Sequence, residues 1–255
     1  MNKLRIAQSF SRAANTYDAS AYVQHEIGDQ LFKGVDHNNP CCIIDLGCGT
    51  GFFTKKLKEK FKKSIIFGID LAKGMLHVAR KQLLVDTCWI CADAEYLPFM
   101  SNSVDIVFSN LTIQWCSNYT HLFSEIKRVL KPGGMVFIAT LGESTLHELR
   151  SAWQEADNAI HVNPFLSEGA LLAYAAQADF SQINSLKEMK EVSYPTPIQL
   201  MRELKEIGAQ EIMAQRSLGL TGKRRFQLVI NTYEKLRTSV GLPATYEVIY
   251  LTLTK

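Results

Sequence analysis

Three glycines at alternate positions follow an acidic residue in the run Asp45-Leu-Gly47-Cys-Gly49-Thr-Gly51. Closely spaced glycines let a ligand approach the backbone and permit positive φ without a Cβ clash. Their amides, at the start of a helix predicted over 52–61, attract an anionic or polar ligand. The carboxylate of Asp45 suits a ligand that also bears a positive charge, such as an ammonium group. Dinucleotide-binding turns read G-x-G-x-x-G, and the spacing D-x-G-x-G-x-G departs from that pattern. Further polar residues lie where predicted strands end. Asp70 stands 19 residues after Gly51, and an acid there can accept hydrogen bonds from both hydroxyls of a ribose. Asp93, followed by Ala94, can accept from an adenine amino group. Leu71 and Met75 can pack on the adenine face, although Met75 equally suits core filling. Asn110 ends a fourth strand.

The elements that position these residues follow from hydrophobic periodicity. Strands are predicted over 41–46, 64–69, 87–91, 104–109 and 135–141, with helices between them over 52–61, 73–83 and 119–130. Alternating strand and helix periods argue for a parallel sheet covered on both faces, with ligands at the carboxyl ends of the strands. Residues 3–34 read as two helices, and the segment Phe10-x-Arg12-Ala13-Ala14-x-x-Tyr17-Asp18 lies between them. It fits an amphipathic helix with an aromatic staple, or a lid over a cofactor. After Leu141 the rhythm changes. A helix is expected over 145–158, a short one after Pro164-Phe165-Leu166-Ser167, and strands over 187–194 and 245–253. Residues 196–240 read as a helical insertion in two pieces, split near Gly219 and Gly222, over the active edge of the sheet.

Composition bounds the rest. The chain has 255 residues, 47% hydrophobic and 21% charged, which suits one globular domain. A net charge of +3 is too mild to argue for nucleic acid and is compatible with an acidic partner. No apolar run approaches membrane-spanning length, and the basic N-terminus lacks an apolar signal core. All six cysteines lie between positions 41 and 116, and Cys88-x-x-Cys91 has no second pair or histidine at zinc spacing. They are expected to be buried free thiols rather than metal ligands, which fits a cytoplasmic protein.

The glycine run resembles the first motif of the class I S-adenosylmethionine-dependent methyltransferases. S-adenosylmethionine carries an ammonium and a sulfonium, and Asn110 would stand opposite its methyl group. Three segments narrow the resemblance: Phe10-x-Arg12-Ala13-Ala14-x-x-Tyr17, Ser109-Asn110-Leu-x-x-Gln114-Trp115-Cys116, and Leu204-Lys205-x-Ile207-Gly208-Ala209. Together with Trp153, Phe165-Leu166 and the terminal Thr245-Tyr246-Glu-Val248-x-Tyr250, they resemble the malonyl-acyl carrier protein O-methyltransferases of biotin synthesis over nearly the whole chain. The sequence departs from that family around residues 1–8 and in Lys223-Arg224-Arg225, which leaves the carrier-docking surface open.

The resemblance implies a single α/β domain with the class I methyltransferase (Rossmann-like) fold. It would have a seven-stranded, mostly parallel sheet, helices on both faces, an N-terminal helical lid (1–35), a cofactor core (41–142) and a C-terminal part (143–255) holding the insertion. The implied reaction methylates the free carboxylate of a malonyl thioester, on acyl carrier protein or coenzyme A, and releases S-adenosylhomocysteine. A carboxylate is ionised at neutral pH and needs no general base. Alignment and exclusion of water can carry the catalysis. The cofactor residues are then Tyr17, Asp45, Gly47, Gly49, Gly51, Asp70, Leu71, Met75, Asp93, Ala94 and Asn110. Tyr17 and Asn110 are candidates to orient the reacting groups, and Arg12, Lys205 or Arg202 to anchor the malonyl carboxylate. Acidic carriers could dock on Lys223–Arg225 or on the lysines from Lys55 to Lys63, a run that also suits a solvated face. A monomer without nucleic-acid or membrane partners is expected. Other acceptors, a quinone ring or another small carboxylate, fit the cofactor half equally. A mitochondrial complex I assembly hydroxylase resembles the same family without methylating, and a non-catalytic cofactor-binding protein is a further reading.

Overall fold

The computed structural model describes residues 2–82, 87–157, 159–209 and 222–255. Its centre is a seven-stranded sheet formed by β1 (Cys42–Leu46), β2 (Ile65–Asp70), β3 (Cys88–Cys91), β4 (Val104–Asn110), β5 (Leu130–Leu141), β6 (Gln182–Tyr194) and β7 (Leu242–Thr254). The spatial order is β3-β2-β1-β4-β5-β7-β6, and only β7 runs against the others. The chain therefore steps outward from β1 in both directions. That reversal opens a crevice at the carboxyl end of β1, where open α/β sheets bind ligands.

Helices α4 (Phe52–Lys60), α5 (Lys73–Gln82) and α6 (Tyr119–Val129) alternate with the early strands, as the periodicity predicts. On one face, Ile43, Phe108 and Phe137 pack against Phe53 and Leu57 of α4 and against Val23, Ile27 and Leu31 of α3 (Tyr22–Lys33). On the other, Ile44, Val107 and Ile138 pack against Leu122, Phe123 and Ile126 of α6 and Leu171 of α8 (Glu168–Gln177). Burial on both faces explains why the parallel strands read as nearly continuous apolar runs.

Several boundaries differ from expectation. The N-terminal region forms three helices, α1 (Lys3–Ala13), α2 (Tyr17–Ser20) and α3, because the chain turns twice to bring α1 across the crevice. The last two strands start earlier than predicted, at Gln182 and Leu242, because they pair continuously along their whole length. Pairing satisfies the backbone of the charged Lys187–Glu191 stretch, and those side chains blunt an exposed edge. Pro132-Gly133-Gly134 lies within β5 rather than before it, beside a register shift against β4. The helix predicted over 145–158 is shorter, α7 (His147–Gln154). The insertion comprises α9 (Pro197–Glu206) and α10 (Lys223–Glu234), between β6 and β7 as expected. Leu83, Asn158 and Gly219 lie outside the described residues.

Candidate active site

The glycine turn is built as the spacing predicts. Gly47, Gly49 and Gly51 take φ of 73°, 56° and 90°, conformations that cost other residues a Cβ clash. The amides of Gly47 and Cys48 donate to Ile69 O of β2 at 2.7 and 2.9 Å, which ties the turn to the neighbouring strand. A side chain at Gly49 would meet no atom within 4 Å, so this backbone faces open space.

Asp70 organises the turn. Its Oδ2 accepts from Gly49 N at 2.9 Å and its Oδ1 from Ala72 N at 2.7 Å. Burial pushes its pKa up to about 6, against the pull of those backbone donors. Asp45 is 2% exposed and accepts from Thr54 Oγ1, which pins the first turn of α4 to β1. Burial, reinforced by the charge of Asp70, pushes Asp45 up to about 7 although the Thr54 bond opposes it.

The cleft beside this turn has about 740 Å³ of space, including its open mouth. Gly47, Gly49, Asp70, Leu71, Met75, Asp93, Ala94, Asn110 and Tyr17 line it, so most of the expected cofactor residues converge. Asp45 and Gly51 do not line it: Asp45 lies beneath the turn, and Gly51 behind it at the start of α4. Asn110 Nδ2 donates to Gln24 O at 2.9 Å, while its Oδ1 is buried without a partner.

Helix α1 roofs the cleft with Ile6, Ala7 and Phe10, and Phe10 meets Trp115 edge-on at 5.2 Å. Lys3 Nζ bonds Asp93 Oδ2 and Glu95 Oε2, both at 2.7 Å. Gly74 N donates to Ser11 Oγ at 3.1 Å, and a Cβ at Gly74 would lie 2.6 Å from Ser11 O, so α1 sits directly on α5. The insertion closes the other side. Gly208, at φ 81°, lies where a Cβ would come within 3.1 Å of Phe10. Two segments distant in sequence, around Phe10 and around Gly208, thus meet.

A second chamber opens between lid and insertion, with about 640 Å³ of space including its mouth. Phe10, Tyr17, Leu111 and Trp115 line both spaces and form the wall between them. Leu111 holds φ of 51°, a strained value for a branched side chain, at this junction. Tyr17 is held protonated by burial and by the charges of Asp70 and Asp18. The second chamber is mostly apolar, with Gln24, Gln114, Asn163 and Tyr246 as its other polar groups. Gln24 and Asn163 are 8% and 7% exposed, and Gln24 Oε1 and Asn163 Nδ2 have no partner. Thr140 Oγ1 donates to Gln114 Oε1 at 3.2 Å.

The expected carboxylate anchors stand elsewhere. Arg12, Lys205 and Arg202 are exposed and line neither space. Helix α1 buries Ile6, Ser9 and Ala13, which turns Arg12 outward, and α9 buries Leu200 and Leu204, which turns both of its cations outward. Lys3, Gln24 and Asn163 were not singled out from the sequence. Gln24 carried a signal: it falls on the apolar stripe of α3 with Ile27 and Leu31, where a polar residue requires a reason. Asn163 carried none. All six cysteines are free, but only Cys48 and Cys116 are buried: Cys41 precedes β1 and Cys88 and Cys91 bound the edge strand β3, so these three are exposed. Among the described residues no group of three or more His, Cys, Asp or Glu is placed to hold a metal ion. No helix among them is long and apolar enough to cross a membrane.

Comparison with known proteins agrees with this architecture. Residues 44–138 match the methyltransferase domain family. The chain is 42% identical to the biotin biosynthesis bifunctional protein BioHC of Cellvibrio japonicus, over 100% of this chain and 51% of that protein. It thus spans about half the length of such bifunctional relatives. It is 41% identical to the malonyl-[acyl-carrier protein] O-methyltransferase of Hahella chejuensis, over 97% of this chain and 89% of that one. Its fold matches Haemonchus contortus phosphoethanolamine N-methyltransferase 2 in complex with S-adenosyl-L-methionine, with a TM-score of 0.61 at 21% identity, over 96% of this chain and 57% of that one. The class I fold and the 41% identity to the Hahella chejuensis protein over most of both chains place the chain in the malonyl-[acyl-carrier protein] O-methyltransferase family.

Proposed function

We propose that the chain transfers a methyl group from S-adenosylmethionine to the free carboxylate of a malonyl thioester, malonyl-acyl carrier protein, an early step of biotin synthesis. The observation that carries this reading is the shared wall. A cleft with a glycine turn and strand-end acids adjoins a chamber holding buried, unpartnered amides, and Tyr17 borders both. The family membership supplies the substrate class.

The residues fit the cofactor. Gly49 leaves backbone open to the cleft, Asp70 and Asp93 supply acceptors for ribose and adenine, and Leu71 and Met75 supply apolar contact. Asn110 Oδ1 offers a buried acceptor to an ammonium or to the polarised methyl. Asp45 acts through the turn that it braces. When bound, S-adenosylmethionine supplies an electrophilic methyl: a carboxylate oxygen bonds the methyl carbon as the carbon–sulfur bond breaks, and that electron pair stays on sulfur.

The chain's part is placement and desolvation. Neutral donors, Asn163 Nδ2 with the Tyr17 hydroxyl, hold the carboxylate and leave its negative charge available, while the Tyr246 hydroxyl is bonded to that of Tyr194. A mostly apolar chamber favours the reaction because opposite charges cancel as it proceeds. Arg12 and Lys205, on outer faces, contribute only a screened field. Free thiols throughout support a reducing, cytoplasmic setting, and we take the enzyme to act as a monomer without nucleic-acid or membrane partners.

The test is transfer of labelled methyl to malonyl-acyl carrier protein, with malonyl-coenzyme A and acetyl-carrier protein as comparators. Label on the malonyl carrier but not the acetyl one is expected. No transfer to either malonyl thioester, in protein that binds the cofactor, rejects the assignment and points to another acceptor.

A further inference from the structure

The second chamber has a far wall, formed in part by Val162 and Phe165, and the same two residues line a surface groove beyond it. Trp153 of α7, Arg150 and His161 also line this groove, which has about 930 Å³ of space including its open side. Trp153 is 8% exposed and stacks on His161 with ring centroids 3.7 Å apart and planes within 10°. Its Nε1–H is buried and has no acceptor. A buried donor without an acceptor is costly, so one in a binding groove is a place for a carbonyl.

We infer that this groove takes the amide-bearing, pantetheine-type arm that tethers the malonyl group to its carrier. The inference rests on the malonyl-thioester reading above. Three observations converge on it. The groove and the chamber share Val162 and Phe165, so an arm lying in the groove ends beside the chamber. The groove's aromatic wall and the unpartnered Trp153 N–H suit a chain of methylenes and amides, and Arg150 is balanced by Glu143, so the lining carries no net charge to hold a charged ligand. A basic segment lies nearby: α10 packs against α7, Arg225 Nη1 lies 3.8 Å from Asp157 Oδ2, the carboxylate that bonds His161 of the groove, and Lys223 and Arg224 are exposed in the same first turn of α10. An arm of this kind ends in a phosphate on an acidic protein, which that cluster complements.

The other groove, at the lysine run of α4, is lined by Asp18, Thr50, Phe52, Lys55, Lys56 and Glu59 and shares no lining residue with either inner space. Its two lysines are balanced by two acids.

Substrates with and without the arm test the inference. Trp153→Phe keeps the ring and removes the N–H. It should lower kcat/KM for malonyl-acyl carrier protein by about fivefold or more and leave the S-ethyl malonyl thioester unaffected. Ala159→Trp, which fills the groove mouth, should cost the carrier substrate roughly tenfold or more and spare the short one. Equal losses on both substrates, or no loss with the carrier, overturn the groove assignment while leaving the methylation reading intact. Wild-type protein that methylates neither substrate rejects the underlying reading instead. A carrier with a photoreactive group in its arm gives an answer independent of turnover. Adducts within residues 147–165 are expected, and adducts on α4 overturn the assignment.

Discussion

Lys3 Nζ stands 2.7 Å from Asp93 Oδ2, so the first turn of the lid is bolted to the acid just beyond β3. Asp93 is also the acceptor expected for an adenine amino group. The lid latch and the acid proposed to read the adenine are therefore the same carboxylate. Glu95, held by the amides of Ser117 and Asn118, keeps the second half of the Lys3 contact when Asp93 is shared.

Lys3→Met retains the apolar stem and removes the latch. The side chains of Lys3 and Asp93 are 25% and 24% exposed, so the pair contributes about 1 kcal/mol or less to stability. Thermal denaturation should shift by no more than about 4 °C. Cofactor dissociation, followed by stopped-flow, should accelerate by roughly threefold or more. A large stability loss with unchanged dissociation would make Lys3 a structural residue only.

Tyr17→Phe leaves the wall between the two spaces in place and removes its hydroxyl. We expect kcat to fall by about tenfold through loss of alignment. The cofactor Kd, measured by calorimetry, should stay within about threefold. An unchanged kcat would remove the Tyr17 hydroxyl from the reaction.

Asn163 and the outward cations make opposite forecasts. Asn163→Ala should reduce kcat/KM by roughly 10- to 100-fold, the worth of a hydrogen bond to a charged group. Asn163→Asp should be worse, because it sets like charge against the acceptor. Arg12→Gln and Lys205→Gln should each cost less than about threefold. Steady-state kinetics on all four variants decides between neutral donors and a cationic anchor.

The two acids at the turn give a pH signature. Burial holds both above the ordinary carboxyl value, Asp70 at about 6 and Asp45 at about 7. The folded chain therefore binds protons that the unfolded chain has released. Their stabilising share is complete below the unfolded value and is lost as pH rises through about 6 and about 7. Cofactor affinity runs the other way, since ionised Asp70 is the better acceptor. It should weaken below about pH 6. Asp70→Asn should flatten the thermal-stability profile over that window and bind cofactor weakly at every pH. A wild-type profile unchanged by the substitution would show that Asp70 is ionised throughout.

Much of the cofactor cleft was legible in the sequence, because its residues sit where a local pattern ends. Gly47, Gly49, Asp70, Asp93 and Asn110 each follow a short apolar strand, and parallel sheets gather such ends along one edge. Neither the hydrophobic period nor the turn chemistry needs a distant partner to be read. The inside and outside of the lid and insertion were readable too. The stripe of Leu200 and Leu204 already turned Lys205 and Arg202 away from the core, and Ile6 and Ala13 did the same to Arg12. Their charge suggests an anchor, and their helical face sets them outside both spaces.

The acceptor chamber is different in kind. Gln24, Gln114, Asn163 and Tyr246 come from four separated parts of the chain, and no periodicity within any one part says that they converge. Lys3 finds Asp93 across 90 positions, and Phe10 finds Gly208 across about three quarters of the chain. These meetings depend on how α1, α3 and α9 close over a sheet edge, which is decided by packing between elements. Local residue type and spacing therefore determined the fold and the glycine turn, and only the tertiary structure decided which polar groups would be buried together in the second chamber.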